Sequence, residues 1–185
     1  VAYLQKAREA LGADIGKISF LAALGKLREI CVDASSFFEG FDDESSKLSL
    51  ALHLIQESIE NGHKVLVFSF FSSVLPKIKN KLKNEYNITS KIIDGSTKSN
   101  DRVSLANDFN SPSGVKVMLV SLKAGGTGLN LIGADTVVHL DPWWNFAAEE
   151  QATDRAYRIG QTKPVTVYKL VCHDSVEERV IDLQN

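Results

Sequence analysis

The spacing of hydrophobic positions changes near residue 45. Before it, Ile18, Leu21, Leu24, Leu27 and Ile30 recur at helical spacing in KISFLAALGKLREIC, which predicts a helical arm. Ser35–Ser46 is polar and acidic, contains Gly40, and reads as a loop or linker. Ser45 or Ser46 can then cap a helix over Lys47–Glu60, which Asn61-Gly62 ends because glycine accepts left-handed backbone. The run KVLVFSFF (Lys64–Phe71) is short, β-branched and aromatic without alternation, as in a strand buried on both faces. The same reading predicts helices over Val74–Glu85, Asn100–Phe109, Asn145–Ile159 and Ser175–Leu183. It predicts strands over Ser90–Asp94, Val115–Ser121, Thr136–Asp141 and Val165–Val171. Strands alternating with helices imply an α/β fold: a parallel sheet, right-handed crossovers, helices on both faces, and ligands beyond the strands' carboxyl ends. The chain divides into an arm and linker over 1–45 and an α/β lobe over 46–185.

With 185 residues, 44% hydrophobic and 24% charged, the chain is long enough for a substantial core, which excludes disorder, collagen and coiled coil. Val65–Pro76 is the longest uncharged stretch, far short of the ~20 residues a spanning helix needs. Two cysteines, Cys31 and Cys172, make neither a disulfide framework nor a zinc cluster, which favours a reducing compartment. His53, His63, His139 and His173 have no metal-ligand spacing. The net charge of −2 conceals an asymmetry: Glu39–Glu60 holds six acids and one base, Lys64–Arg102 eight bases and three acids. A basic stretch can face an anion; Lys77, Lys79, Lys81 and Lys83 fit equally well the wet side of a helix. No signal-peptide pattern is present, and Val1 reads as a start inside a longer chain.

Four clusters fall at predicted strand ends. Ser121-Leu-Lys-Ala-Gly-Gly-Thr-Gly-Leu-Asn-Leu131 follows a buried strand; its glycines suit a phosphate nest or tight packing, and no G-x-x-x-x-G-K-[ST] loop occurs in the chain. Gln151-Ala-Thr-Asp-Arg-Ala-Tyr-Arg-Ile-Gly-Gln161 places Arg155 and Arg158 three apart on a predicted helix, with Gln151 a turn before. Paired guanidinium groups suit a phosphate; salt bridges to Glu149, Glu150 and Asp154 are the alternative. Asp94-Gly-Ser-Thr97 offers hydroxyls that fit either helix N-caps or phosphate donors. In Asp141-Pro-Trp-Trp-Asn145 the tryptophans suit packing more than base stacking.

In order and spacing these blocks, with KLSLALHLIQESIENGHKVLVFSFF before them, resemble the second RecA-like lobe of the Swi/Snf family of ATP-dependent DNA translocases, within helicase superfamily two. The resemblance covers about Lys47 to Leu183 and extends weakly over LAALGKLREIC, similar to the family's helical arm. It implies a RecA-like three-layer domain with a mainly parallel sheet. VLVFSFF, with Ser69 and Phe70, is similar to motif IV. DGST resembles the segment that holds the tracking strand of duplex DNA, with Ser96 and Thr97 as phosphate donors. SLKAGGTGLNL resembles motif V, in which Lys123, Gly126 and Thr127 would face DNA while Gly128 and Asn130 lie near the ATP ribose. DRAYRIGQ resembles motif VI, in which Gln151, Arg155 and Arg158 would face the γ-phosphate, with Arg158 as arginine finger. Phe146 departs from the family pattern, standing where a proline commonly follows Trp-Trp-Asn.

No match to the family's Walker A lysine or Asp-Glu-x-His motif occurs, so the resemblance implies half of an ATPase site. The N-terminal RecA-like lobe of the same parent chain would supply the ligands of Mg²⁺. The expected partners are ATP, double-stranded DNA, that lobe and a DNA-bound protein target, without a membrane. The expected setting is intracellular and DNA-associated, in a bacterial cytoplasm or a eukaryotic nucleus. Alternatives from other classes are a non-catalytic DNA-binding or regulatory lobe, and a strand-separating helicase.

Overall fold

A computed structural model describes residues 17–37, 45–124, 128–182 and 184. The arm is α1 (Lys17–Val32), followed by a 3₁₀ turn at Ala34–Ser36, where the Asp33 carboxylate accepts the Ser35 amide. Helix α2 (Ser46–Glu60) has Ser45 as its cap, accepting the Leu48 amide at 3.4 Å, and ends at Asn61 with Gly62 at φ +81°. Both ends therefore use the residues the sequence offered for them. The lobe continues through β1 (Val65–Ser69), α3 (Leu75–Tyr86), β2 (Ser90–Ile93), α4 (Ser99–Asn110) and β3 (Val117–Ser121). It closes with β4 (Thr136–His139), α5 (Phe146–Thr153), β5 (Thr166–Lys169) and α6 (Val176–Asp182).

Among the described residues, the strands form one five-stranded sheet in the order β2-β3-β1-β4-β5, with every neighbouring pair parallel. Register aligns Ser69 with Ser121 and Phe68 with His139, so the chain leaves these strands along one edge. All residues of β1 and β3 are buried, which explains why their sequences show no alternation. Val65 and Val67 pack with Leu52 and Ile55 of α2 and Ile78 and Leu82 of α3. Leu66 and Phe68 pack on the other side with Phe109 of α4 and Ala152 of α5. Each such side chain contributes about 1.5–3 kcal/mol on burial, so the three layers are held by the central strands. Strand β5 is the exposed edge.

Helix α3 buries Leu75, Ile78 and Leu82 and turns Lys77, Lys79 and Lys83 outward. The lysine run is thus the wet side of a helix, with Lys77 paired to Asp33 and Lys81 to Glu85.

Two expectations need correction, while the helical arm is borne out by α1. Helix α5 ends at Thr153 rather than Ile159. The Thr153 hydroxyl donates back to the Glu149 carbonyl, and the Arg155 and Ala156 amides turn to Ala152 and Thr153 in tighter steps. Arg155 and Arg158 therefore do not share a helical face. Ser96 and Thr97 are not helix caps either, since the cap position of α4 is Lys98 and makes no side-chain bond. In the arm, Leu24, Leu27 and Ile30 are only half-buried, whereas Arg28 is 1% exposed. The side chains of Ile18 and Leu21, and linker residues 38–44, lie outside the described residues.

Arg28 explains why the arm belongs to this unit. Its guanidinium carbon lies 5.1–5.5 Å from the ring centres of Phe70, Phe71, Trp143 and Trp144. It donates to the Pro142 carbonyl and stands 3.6 Å from the Asp141 carboxylate.

Candidate functional site

The turn after α5 and the strand-end segment 128–131 hold each other through the backbone and two arginines. The Leu131 amide donates to the Arg155 carbonyl at 2.9 Å. Arg155 Nη1 reaches the Leu129 carbonyl at 3.4 Å, and Arg158 Nη1 the Gly128 carbonyl at 3.3 Å. Gly128 adopts φ +61°, a conformation that suits glycine. Gln161 closes the turn, donating to the carbonyls of Ala134 at 2.7 Å and Ile132 at 3.0 Å.

The result is an open cleft of about 430 Å³ lined by Gly128, Gln151, Asp154, Arg155, Tyr157 and Arg158. The expected ATP-facing residues Gln151, Arg155, Arg158 and Gly128 thus meet. Asn130 is exposed on the adjoining segment, where its carbonyl accepts from Asn110 Nδ2 at 2.9 Å.

Arg155 is buried, and its Nε has no hydrogen-bond partner. Burial first, then the charge of Arg158, lowers its pKa below the ordinary arginine range. Among the described residues no carboxylate pairs with either guanidinium; Glu149 pairs with Lys169 at 2.5 Å instead. The alternative of intrahelical salt bridges therefore finds no support. Uncompensated buried positive charge is costly, and an anion entering the cleft would relieve it. This donor set fits a polyphosphate.

A second group lies along the carboxyl edge. Asp94 Oδ1 accepts from the Ser96 amide at 2.9 Å and hydroxyl at 2.7 Å, and from the Thr97 amide and hydroxyl at 3.2 Å. The Ser96 hydroxyl bond is the chief reason the Asp94 pKa falls below the usual carboxylate range. Arg102 ties this turn to the glycine-rich segment, donating to the Asp94 carbonyl at 2.9 Å, the Thr97 carbonyl at 2.7 Å and the Ala124 carbonyl at 3.4 Å. Lys123 is exposed, with its ammonium 4.2 Å from the Phe70 ring centre. Gly126 and Thr127 lie outside the described residues.

The DPWWN block organises this edge from beneath. Asp141 is fully buried, accepts the Ser69 hydroxyl at 2.6 Å and the Phe70 amide at 3.2 Å, and sits beside Arg28. Burial pushes its pKa up to about 6 against those favourable contacts. Trp143 stacks on Phe70 with ring centres 3.9 Å apart, so the packing reading holds for Trp143, whereas Trp144 is exposed. Phe146 begins α5 under an Asn145 cap, where the first helical position tolerates phenylalanine as well as proline. Sequence reasoning assigned no role to Arg28, Arg102 or Asp141; the HLDPWW block was the available sign that Asp141 lies at a strand end, two residues past β4.

The model of the helicase conserved C-terminal domain matches residues 46–160. The chain belongs to this family, in its Swi2/Snf2 branch. It is 42% identical over 168 residues to the uncharacterized ATP-dependent helicase MG018 of Mycoplasma genitalium, covering 91% of this chain and 16% of that protein. It is 38% identical over 147 residues to the human chromatin-remodeling ATPase INO80, covering 77% of this chain and 9% of that protein. The Sulfolobus solfataricus SWI2/SNF2 ATPase core solved in complex with dsDNA superposes with a TM-score of 0.81 at 30% identity, covering 99% of this chain and 39% of that one. The chain thus spans a small part of these relatives, and its fold is that of a RecA-like C-terminal lobe preceded by a helical arm.

Proposed function

We propose that this chain is the C-terminal motor lobe of an ATP-dependent double-stranded DNA translocase, with residues 1–45 as arm and linker and 46–185 as the lobe. The observation that carries the reading is the convergence of Arg155, Arg158, Gln151 and Gly128 on one cleft, where among the described residues no carboxylate, Asp154 of the lining included, forms an ion pair with either arginine. ATP supplies the phosphoanhydride, and a first lobe of the parent chain supplies its Mg²⁺ ligands. This lobe's own residues supply charge and position.

Arg158, whose exposed guanidinium reaches the Gly128 carbonyl at 3.3 Å, is the finger that meets charge developing on the transferred phosphoryl group. Arg155 is the fixed positive background behind it; Gln151 and the exposed Asn130 complete the polar lining. Tyr157, which lines the cleft, and the neighbouring, fully exposed Ile159 provide apolar surface for the first lobe to close on. Along the neighbouring edge Ser96, Thr97 and Lys123 grip the DNA backbone, with Gly126 and Thr127 assigned to the same role from the sequence, so closure of the cleft shifts that grip. Contacts to phosphate make binding indifferent to sequence and strongly dependent on salt.

The test is DNA-stimulated ATP hydrolysis by the full two-lobe protein, wild type against Arg158→Ala. The substitution should lower kcat on the order of 10³-fold while ATP and duplex DNA still bind. Equal turnover would make the cleft structural. The 185-residue chain alone should hydrolyse no ATP above background; robust turnover by it would overturn the two-lobe reading.

A further inference from the structure

The chain's two cysteines, 141 positions apart in sequence, meet where the arm touches the segment before α6. As a thiol, Cys172 Sγ donates to the Cys31 carbonyl at 3.2 Å. The two sulfurs and a Glu177 carboxylate oxygen all lie within 4.8 Å of one another. Both cysteines are half-buried, so the pair is not sealed from small solutes.

Around them stand Lys47 of α2, Glu177 of α6 and Ser175. Lys47 pairs with Glu177 and also donates to the Leu170 carbonyl at 3.4 Å. Glu177 accepts the Cys172 amide at 2.8 Å, while its Oε1 has no hydrogen-bond partner. Ser175 donates to the Cys172 carbonyl at 2.7 Å. The ligand types would also suit a divalent cation, but an ammonium already on the shared carboxylate opposes one. The same ammonium favours a thiolate.

We propose that Cys31 and Cys172 are an oxidisable dithiol, a modification site at which a hydroperoxide converts the arm–lobe contact into a covalent staple. The two thiols are matched to different tasks. The hydrogen bond from Cys31, aided by Lys47, lowers Cys172 to about 7, while that same bond and burial push Cys31 well up. Cys172 is therefore the nucleophile and Cys31 the resolving thiol.

The Cys172 thiolate attacks a peroxide oxygen: an S–O bond forms, the O–O bond breaks, and the departing hydroxide takes up the proton released by Cys172 to become water. Cys31 sulfur then attacks the Cys172 sulfenic sulfur: an S–S bond forms, the S–O bond breaks, and hydroxide leaves with the Cys31 proton as a second water. Two thiols lose two electrons, and one hydrogen peroxide is reduced to two waters. A disulfide needs an S–S distance of about 2.0 Å, so the side chains rotate together as the bond closes.

The experiment treats the reduced chain with hydrogen peroxide and follows free-thiol titration, intact mass and peptide mapping. The expected result is loss of both thiols within one chain and a reducible Cys31–Cys172 peptide. With Cys31→Ser, which removes the resolving thiol, oxidation should stop at a trappable sulfenic acid on Cys172 with no disulfide; with Cys172→Ser, peroxide consumption should slow on the order of tenfold or more. The initial rate in wild type should rise with a midpoint near pH 7, where the Cys172 thiolate forms. Two persistent free thiols, independent sulfinic acids, or cross-links only between chains would each overturn the proposal. The wild-type thiol count decides even if a variant fails to fold.

Discussion

Replacing Arg28 by methionine isolates what a buried charge does for this fold, because methionine keeps most of the volume and removes the cation. Arg28 is 1% exposed and Asp141 0%, so the carboxylate would be left without its guanidinium in a dry site. The bond to the Pro142 carbonyl is charge-assisted and worth about 1.5–3 kcal/mol. Contact with four rings adds about 2 kcal/mol or more where the cation is desolvated. Against these stands the desolvation of the guanidinium, the largest influence on Arg28 and one that lowers its pKa. The balance for breaking a buried pair is a loss of about 3–5 kcal/mol.

Urea unfolding of the chain measures this directly through Trp143 and Trp144, its two tryptophans, which sit over the guanidinium. Arg28→Met should lose about 3 kcal/mol or more at pH 8. The loss should shrink at pH 5, where Asp141, already pushed up to about 6, takes a proton and no longer needs a partner. Arg28→Met combined with Asp141→Asn should be more stable than Arg28→Met alone, since the stranded carboxylate is gone. A loss below about 1 kcal/mol at pH 8, or a double variant no better than the single, would refute the argument.

Two buried groups set opposing pH dependences. Burial holds His139 down to about 4, so its contribution is present above the unfolded histidine pKa and is lost as pH falls toward 4. Asp141, raised to about 6, contributes below the unfolded carboxylate pKa and loses that contribution as pH rises through 6. Each is worth about 3 kcal/mol, so the two nearly cancel between pH 4 and 6.5. Asp141→Asn should expose the histidine slope, visible as urea midpoints that fall steadily from pH 6.5 to 4.5; an unchanged pH profile would count against both assignments. Gly133→Ala would place a methyl 2.7 Å from the Phe109 carbonyl oxygen and 3.0 Å from Asn110 Cα, both backbone. The urea midpoint should drop by the equivalent of about 1–3 kcal/mol without a change in slope.

The sequence alone determined the layered α/β plan. Two short, β-branched apolar runs without alternation, VLVFS and VMLVS, read as strands covered on both faces, and they became the sheet's fully buried β1 and β3. Ser45 and Asn61-Gly62 bounded α2 because caps and left-handed turns are chemistry of a few neighbouring residues. The order of the glycine-rich, DPWWN and DRAYRIGQ blocks was enough to indicate the family. Tertiary structure decided the rest. The arginines reach their cleft from a turn, because contacts with the 128–131 segment and the Gln161 clamp hold a tighter backbone than local propensity would choose. The helical arm is anchored less by the half-buried Leu24 and Leu27 than by Arg28, whose acceptor lies 114 residues away. Periodicity reports which positions face inward; it carries no record of which distant charge waits there. That information exists only once the sheet has brought Asp141, Phe70 and Trp143 to the same edge.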